Sequence, residues 1–381
     1  MQVSTDKQGR PVIFIETAAE YARARREVLA AERLGVDTES NSMHAFRERT
    51  CTIQVSAPTG HFIFDPILMG CPADLGGVFA DPGVEKIFHG GVYDLALLKR
   101  DFDFEFAGLF DTAISADLLG YPRIGLSSLV ERFCGVVLEK RYTTSDWARR
   151  PLDPGQMEYL YLDTLYLFDL ADRLRDRLRA ADLLEEATLE FAALTKTTPL
   201  KNAHEGKDSL SLKGYDRLES GRERAVLAEV FAWRQVVAEK LDRPPFKVLG
   251  NPVLFELARR RPLDRAGCLA IKGFTPRVWK KFGSDILAAV ARGRSHPPED
   301  FPPRPRVRRR RDADAGDLAQ ELKRWRTAAA ERDGVGRLAI LPGRLLEELV
   351  RVRPSAPAEL AELVGEGRTR KYGREILRIL T

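Results

Sequence analysis

Two stretches of this chain repeat each other, and the repeat limits what the remainder can be. Trp233-Arg234 recurs as Trp325-Arg326, 92 residues later. At the same offset Phe246-Lys247-Val248-Leu249 recurs as Leu338-Ala339-Ile340-Leu341. Leu254, Glu256, Leu257 and Pro262 recur as Leu346, Glu348, Leu349 and Pro354. After a two-residue deletion, Lys281-Phe282-Gly283 and Ile286-Leu287 match Lys371-Tyr372-Gly373 and Ile376-Leu377. Neither copy shows the alternation of a strand, and both carry apolar residues at helical spacing. The pattern predicts two all-α modules, over 221–293 and 318–381, acting as tandem units and not as a solenoid. Residues 294–317 hold five prolines and then the run Arg304–Arg311, six arginines in eight residues, which predicts an extended linker.

The first 190 or so residues read differently. PVIFIE (11–16), RLGVDTE (33–39), TCTIQVSA (50–57) and HFIFDP (61–66) predict strands, and KIFHG (86–90) and DFDFEF (101–106) further short ones. TAAEYARARREVLAAERL (17–34), VYDLALLKRD (92–101) and most of 156–194 predict helices. The fold class expected for 1–195 is α/β with a mixed sheet. Residues 196–220 are polar and aperiodic, as a connector would be.

Charge divides the chain in the same way. Residues 1–214 carry 25 Lys and Arg against 33 Asp and Glu, a net −8, so the remainder of the +5 chain carries +13. Such asymmetry points to a polyanion-binding part joined to something else. No apolar run approaches the ~18 residues a membrane span needs. The N-terminus is polar where a signal peptide would be apolar. The four cysteines form no CxxC pair, which excludes a zinc ribbon and fits a reducing cytoplasm.

Three acidic segments could hold metal. Asp37 and Glu39 are two apart on a strand end and share a face. Asp101, Asp103 and Glu105 have the same spacing, but there the intervening phenylalanines fit a half-exposed strand. Asp94 follows His89-Gly90-Gly91 and falls in the first turn of a helix, where its plain role would be to favour the helix dipole. Tyr159 and Asp163 stand at i and i+4 on one helix face. Tyr142 and Asp146 share that spacing, but the surrounding KRYTTSDW has no helical pattern.

Together, Asp37, Glu39, Asp94, Tyr159 and Asp163 resemble the active site of the DEDD superfamily of 3′→5′ exonucleases, in its tyrosine subclass. FDTAISADLLG (110–120), LSSLVERFCGVVLEK (126–140) and SDWARRPL (145–152) look like the ribonuclease D family, and the helical repeats look like its HRDC modules. The resemblance implies a ribonuclease-H-like fold and two divalent cations, Mg²⁺ or Mn²⁺. Asp37, Glu39 and Asp163 would bind the metal that activates water, Asp37 would bridge to a second metal supported by Asp94, and Tyr159 would orient the water. It further implies single-stranded RNA 3′ ends as substrate, transfer-RNA precursors among them. Thr38, Gln54, His89 and Trp147 become candidate substrate contacts, and Arg308, Arg309, Arg310 and Arg311 candidate phosphate contacts. His89 does not occupy the place of the base in the histidine subclass, which Tyr159 holds here.

Three other readings compete: an exonuclease on DNA ends, a nucleic-acid-binding protein with a dead nuclease domain, and helical repeats that bind protein. The absence of a GxxxxGK[ST] motif and of a polymerase domain favours a standalone nuclease, and the intact acids argue against a dead one.

Overall fold

The computed structural model describes residues 3–6, 9–139, 141–201, 204, 206–304 and 313–381. The chain forms two compact units. One comprises Met1–Ser40, Thr50–Leu200 and Arg309–Thr381, and the other Asn41–Arg49 and Lys201–Arg308.

The first unit is built on a mixed sheet of β1 (Val3–Thr5), β2 (Pro11–Ile15), β3 (Arg33–Ser40), β4 (Thr50–Ala57), β5 (Gly60–Phe64), β6 (Glu85–Phe88) and β7 (Leu109–Asp111), in the order β1-β2-β5-β4-β3-β6-β7. The hairpin-linked strands β3, β4 and β5 pair antiparallel, while β6 and β7 follow β3 in parallel. Side chains alternate across the sheet. Ile15, Val36, Ile53, Val55, Phe62 and Ile87 enter one core, and Val12, Phe14 and Ile63 the core of the other face. Helices α1 (Ala18–Leu29), α2 (Pro66–Met69), α3 (Ala73–Ala80), α4 (Val92–Phe102), α5 (Thr112–Leu118), α6 (Leu126–Cys134), α7 (Pro154–Leu165), α8 (Leu167–Ala180) and α9 (Leu184–Thr195) surround the sheet.

Most expected elements are present, with instructive differences. The helix foreseen to residue 34 ends at Leu29, and the short β1 carried no sequence signal. The strand expected over 101–106 does not form. There α4 runs to Phe102, Asp103 caps it in the left-handed region, and the strand begins only at Leu109, opposite Lys86. Phe104 and Phe106 still turn inward, packing on Phe79 with ring centroids 5.7 and 5.4 Å away. An aromatic cluster, not a ladder, accounts for the alternation.

The second unit holds the first helical copy: α10 (Gly221–Lys240), α11 (Pro245–Val248), α12 (Asn251–Arg260), α13 (Arg265–Leu269) and α14 (Pro276–Ser295). Its core also takes in Tyr215 and Leu218 from the expected connector. Part of the proline segment is fastened to it as well, since Arg224 donates to the Phe301 carbonyl at 2.7 Å and Tyr215 to that of Pro302 at 3.3 Å. Residues 305–312 lie outside the described residues.

The second copy comprises α15 (Ala313–Asp333), α16 (Arg337–Ile340), α17 (Gly343–Val352), α18 (Pro357–Val364) and α19 (Glu366–Leu380). The two copies share their internal contacts. Trp233 meets Phe282 edge-on at 5.6 Å, as Trp325 meets Tyr372 at 6.1 Å. Arg234 donates to the Leu249 carbonyl at 2.9 Å, as Arg326 does to that of Leu341 at 3.0 Å.

The second copy packs directly on the sheet-bearing unit. The Gly336 amide donates to the Leu118 carbonyl at 2.9 Å, and a Cβ at Gly336 would collide with the Asp117 backbone. Glu190 of α9 is buried between Arg368, 3.0 Å away, and Arg344. At the repeat offset, Gly336 and Arg344 replace Pro244 and Pro252 of the first copy. The copies thus differ where one of them docks. Breaking a buried ion pair from one side costs about 3–5 kcal/mol. Glu190→Ala is therefore expected to lower unfolding free energy in urea by about 3 kcal/mol, while the exposed Glu362→Ala stays within about 0.5 kcal/mol. A chain ending near Gly214 loses Arg344 and Arg368 together, and should unfold at lower denaturant still.

Candidate active site

The site lies where β3, α4 and α7 meet. On β3, Gly35, Asp37 and Glu39 share one face, and Leu34 and Val36 enter the core on the other. The strand ends at Ser40 after a register shift between Glu39 and Ser40.

Asp94 is delivered by the turn into α4. Gly90 adopts φ +69°, and a Cβ on Gly91 would press within 2.8 Å of the Phe88 side chain. The buried Asp111 carboxylate accepts from the amides of Gly90 and Gly91 at 3.1 and 2.8 Å, and from Ala113 and Ile114 at 2.9 Å as N-cap of α5. Asp111 thus fixes the glycine turn that places Asp94. Sequence reading missed this role, although the FDT triplet held the residue. An aspartate preceding a helix was its one available signal.

Helix α7 starts at a capping box, in which the Asp153 side chain accepts from the Gln156 amide at 2.9 Å and the Gln156 side chain returns the bond. Tyr159 and Asp163 project from one face of it, with the Tyr159 hydroxyl near enough to Asp163 to hold its carboxyl down. The Tyr159 ring lies against Trp147 at 5.7 Å and Tyr142 at 6.0 Å. Tyr142 belongs to a turn and not to a helix, so it does not repeat the Tyr159/Asp163 arrangement. Arg150 braces this wall, donating to the carbonyls of Trp147 at 2.7 Å and Cys51 at 3.0 Å and pairing with the buried Asp65.

The four acids interact strongly. Burial raises Asp37 well above the ordinary carboxylate range, and the charges of Asp94, Asp163 and Glu39 raise it further. Burial, with Asp163 and Asp94, lifts Glu39 to about 9. Burial lifts Asp163 to about 7 and Asp94 to about 6, each against a hydrogen bond that pulls it down, from Tyr159 and Thr38 respectively. Tyr159 is pushed up by burial and then by Asp163, Glu39 and Asp37, so its hydroxyl keeps its proton.

Such a set suits a hard divalent cation, which prefers carboxylate oxygens. Beside it, Gln54 stands opposite Asp37 in the strand register, and its buried Oε1 has no partner among the described residues. Also among the described residues, no three acid, histidine or cysteine side chains close into a ready cage. Mg²⁺ does not require one, since it keeps several waters and takes one or two carboxylates together with substrate phosphates.

The expected substrate contacts fare unequally. Gln54 and Trp147 are each 1 % exposed, so neither offers a face to a substrate. The Gln54 amide donates to Thr52 at 2.7 Å, and Trp147 packs against Tyr159; burial gives both a supporting place. Thr38 is also buried and spends its hydroxyl on Asp94, at 2.5 Å. His89 is half-buried with Nδ1 2.9 Å from Thr112 Oγ1. Arg308, Arg309, Arg310 and Arg311 lie outside the described residues.

Comparison with known proteins agrees with this geometry. Residues 12–179 match the family described as 3′-5′ exonuclease, and residues 223–290 and 315–380 each match the HRDC domain. Fold and site therefore define a 3′→5′ exonuclease domain of the DEDD type joined to two HRDC domains. The chain is 28% identical over 373 residues to ribonuclease D of Acidiphilium cryptum, covering 96% of this chain and 92% of that protein. It is 31% identical over 287 residues to the exosome complex component 10 homolog of Caenorhabditis elegans, but spans only 33% of that protein's length. It spans 40% of the yeast exosome exonuclease RRP6. The crystal structure of Escherichia coli RNase D superposes with a TM-score of 0.66 at 24% identity, covering 97% of this chain and 98% of that one, which shows the shared fold. The chain belongs to the ribonuclease D family.

The raised carboxylates give a sign to the pH dependence of stability. Unfolded carboxyls titrate near ~4. Above that pH the unfolded chain releases protons that folded Asp94, Asp163 and Glu39 still hold, so folding stability falls with rising pH until the folded values are passed. With chelator present, the thermal midpoint should therefore decline from pH 5 to 9. Glu39→Gln should flatten the upper part of the decline, since Glu39 holds its proton up to about 9. Parallel curves for the two proteins would show that Glu39 does not carry this term.

Proposed function

We propose that this chain is a divalent-metal-dependent 3′→5′ exoribonuclease that trims RNA 3′ ends, transfer-RNA precursors among them, releasing 5′-mononucleotides. The observation that carries the reading is the convergence of four partly or fully buried carboxylates with no opposing cation among the influences that set Asp37, and with Tyr159 close to Asp163. Proteins seldom bury such a charge set without pairing it to something positive. Asp37, Glu39 and Asp163 would hold one Mg²⁺ or Mn²⁺, and Asp37 with Asp94 a second. Two such ions, when bound, stabilise charge on the attacking and leaving oxygens of an in-line displacement. Tyr159, kept protonated by its surroundings, orients a water by hydrogen bonding and is not a bulk base. The basic C-terminal half supplies phosphate attraction, in which Arg308–Arg311 would share. The four cysteines form no disulfide, in keeping with a reducing cytoplasm, and no described helix is long and apolar enough to cross a membrane.

The test uses full-length protein with 5′-labelled and 3′-labelled RNA and DNA strands, in Mg²⁺, Mn²⁺ or chelator. A 5′-labelled RNA should shorten stepwise while the 3′ label appears at once as mononucleotide, and chelator should stop both. Faster shortening of DNA would transfer the assignment to DNA ends, and no shortening of either would leave a binding protein.

Asp37→Asn, Glu39→Gln and Asp163→Asn should each abolish nearly all turnover while the protein still folds. Tyr159→Phe keeps the ring and should lower kcat by about 10²-fold, in the range of orienting groups. Tyr142→Phe should change kcat little. Replacing Arg308–Arg311 with alanine should flatten the dependence of log affinity on log salt, because each phosphate contact on a single strand contributes about −0.7 to that slope.

A further inference from the structure

Behind the carboxylates lies a second polar row that the proposed chemistry does not use. Asp6, His61, Ser56 and Thr164 are all buried, at 5% exposure or less. His61 bridges two of them, with Nε2 3.1 Å from Asp6 Oδ2 and Nδ1 2.6 Å from Ser56 Oγ. The Ser56 hydroxyl donates to Thr164 Oγ1 at 2.6 Å, and Thr164 donates to the Tyr161 carbonyl at 3.3 Å. Asp6 is itself held by the Arg10 backbone amide and guanidinium, both at 2.8 Å. Burial holds the His61 imidazole below its ordinary value.

The strand register shows where this row runs. Gly35 of β3 pairs with Ser56 of β4, and Ser56 pairs with His61 of β5. Asp37 and Gln54 form the next same-face pair along β3 and β4. The row therefore crosses the sheet one pleat behind the acids. At its β3 end a Cβ on Gly35 would stand 3.2 Å from the Thr164 carbonyl and 3.4 Å from the Leu167 side chain. The end of α7 thus rests directly on the strand, at a position where even a Cβ would be tight. Thr164 follows Asp163 in sequence, and Tyr161 lies between Tyr159 and Asp163. The His61 ring also lies 5.6 Å from the Tyr161 ring.

We propose that the row Asp6–His61–Ser56–Thr164, seated against Gly35, positions α7 so that Tyr159 and Asp163 meet Asp37 and Glu39. This rests on the exonuclease reading above. A helix can be apolar on its buried side and still rotate or slide by a fraction of an ångström. Hydrogen bonds from a β-sheet to a side chain next to Asp163 fix its rotation and its height together. Displacing a reacting group by about 1 Å can cost on the order of 10² in rate, so a residue that touches no substrate can still set kcat. These four are positioning residues.

The experiment compares full-length Thr164→Val, Thr164→Ser and Ser56→Ala, alone and combined with Tyr159→Phe, on a short single-stranded RNA at saturating Mg²⁺. Valine keeps the shape of threonine and removes the hydroxyl. Thr164→Val is expected to lower kcat about tenfold, with KM within about twofold, and Thr164→Ser to restore most of the loss. In the Tyr159→Phe background the same change should cost less, because part of what it positions is gone. The inference is overturned if folded Thr164→Val and Ser56→Ala keep wild-type kcat, even with a lowered melting temperature, or if Thr164→Ser fails to rescue. Should Thr164→Val not fold, Ser56→Ala decides by the same criterion. Should neither fold, the row is a folding element and the inference is wrong. Full activity in Tyr159→Phe would instead reject the exonuclease site itself, whereas an impaired Tyr159→Phe beside normal row variants would reject only the inference.

Discussion

Withdrawing a cluster of like-charged carboxylates from water is the constraint to which the rest of this structure answers. Burial disfavours the ionisation of Asp37, Glu39, Asp94 and Asp163, and the charges of neighbouring acids add to the cost. A cluster of this kind must be held together by something other than its own interactions. The holding is done by short, inflexible connections on every side: a strand with core residues behind it, a glycine turn tied to Asp111, and a capped helix braced by an aromatic wall. The acids reach the site from three elements, β3, α4 and α7, so sheet and helices must all be correctly packed before the charges can meet. Cations relieve the repulsion, and a preorganised electrostatic site does its work without rearranging at the moment of reaction.

The parts of the site that were legible in the sequence are those that depend on periodicity. A D-x-E pair on a strand end, an acid just inside a helix and a Tyr/Asp pair four residues apart all follow from regular geometry. The decoys failed for the same reason: Tyr142 lacked a helix, and Asp101, Asp103 and Glu105 had no ladder to stand on. What the sequence hid were partnerships between residues far apart in the chain. Asp111 is an ordinary N-cap in sequence and becomes the clasp of the Asp94 turn only when β7 lies beside β6. Gln54 and Trp147 read as candidate contacts because they adjoin the right segments, yet burial assigns them to support.

The repeat was equally legible and equally incomplete. It revealed two helical copies sharing a Trp–aromatic contact and an arginine that ties two helices together. It did not reveal that one copy joins the sheet-bearing unit. The residues responsible, Gly336 and Arg344, sit where the copies disagree, and disagreement in a repeat looks like drift unless something is known to press on it. Prolines at the matching places in the first copy cannot make the same amide and guanidinium bonds.

The docked second copy also bears on how the chain is made. Glu190 leaves the ribosome well over a hundred residues before Arg368, its buried counter-ion. Domains generally fold as they are synthesised, N-terminal parts first. The sheet and its acids are therefore complete in sequence while the surface that Arg344, Arg368 and Gly336 will cover still faces water, with a buried-type glutamate at its centre. Residues 201–308 of the other unit are translated in that interval. A nascent chain thus carries that surface uncovered until the second helical copy is made, and the order of translation itself sets how long it stays open to water.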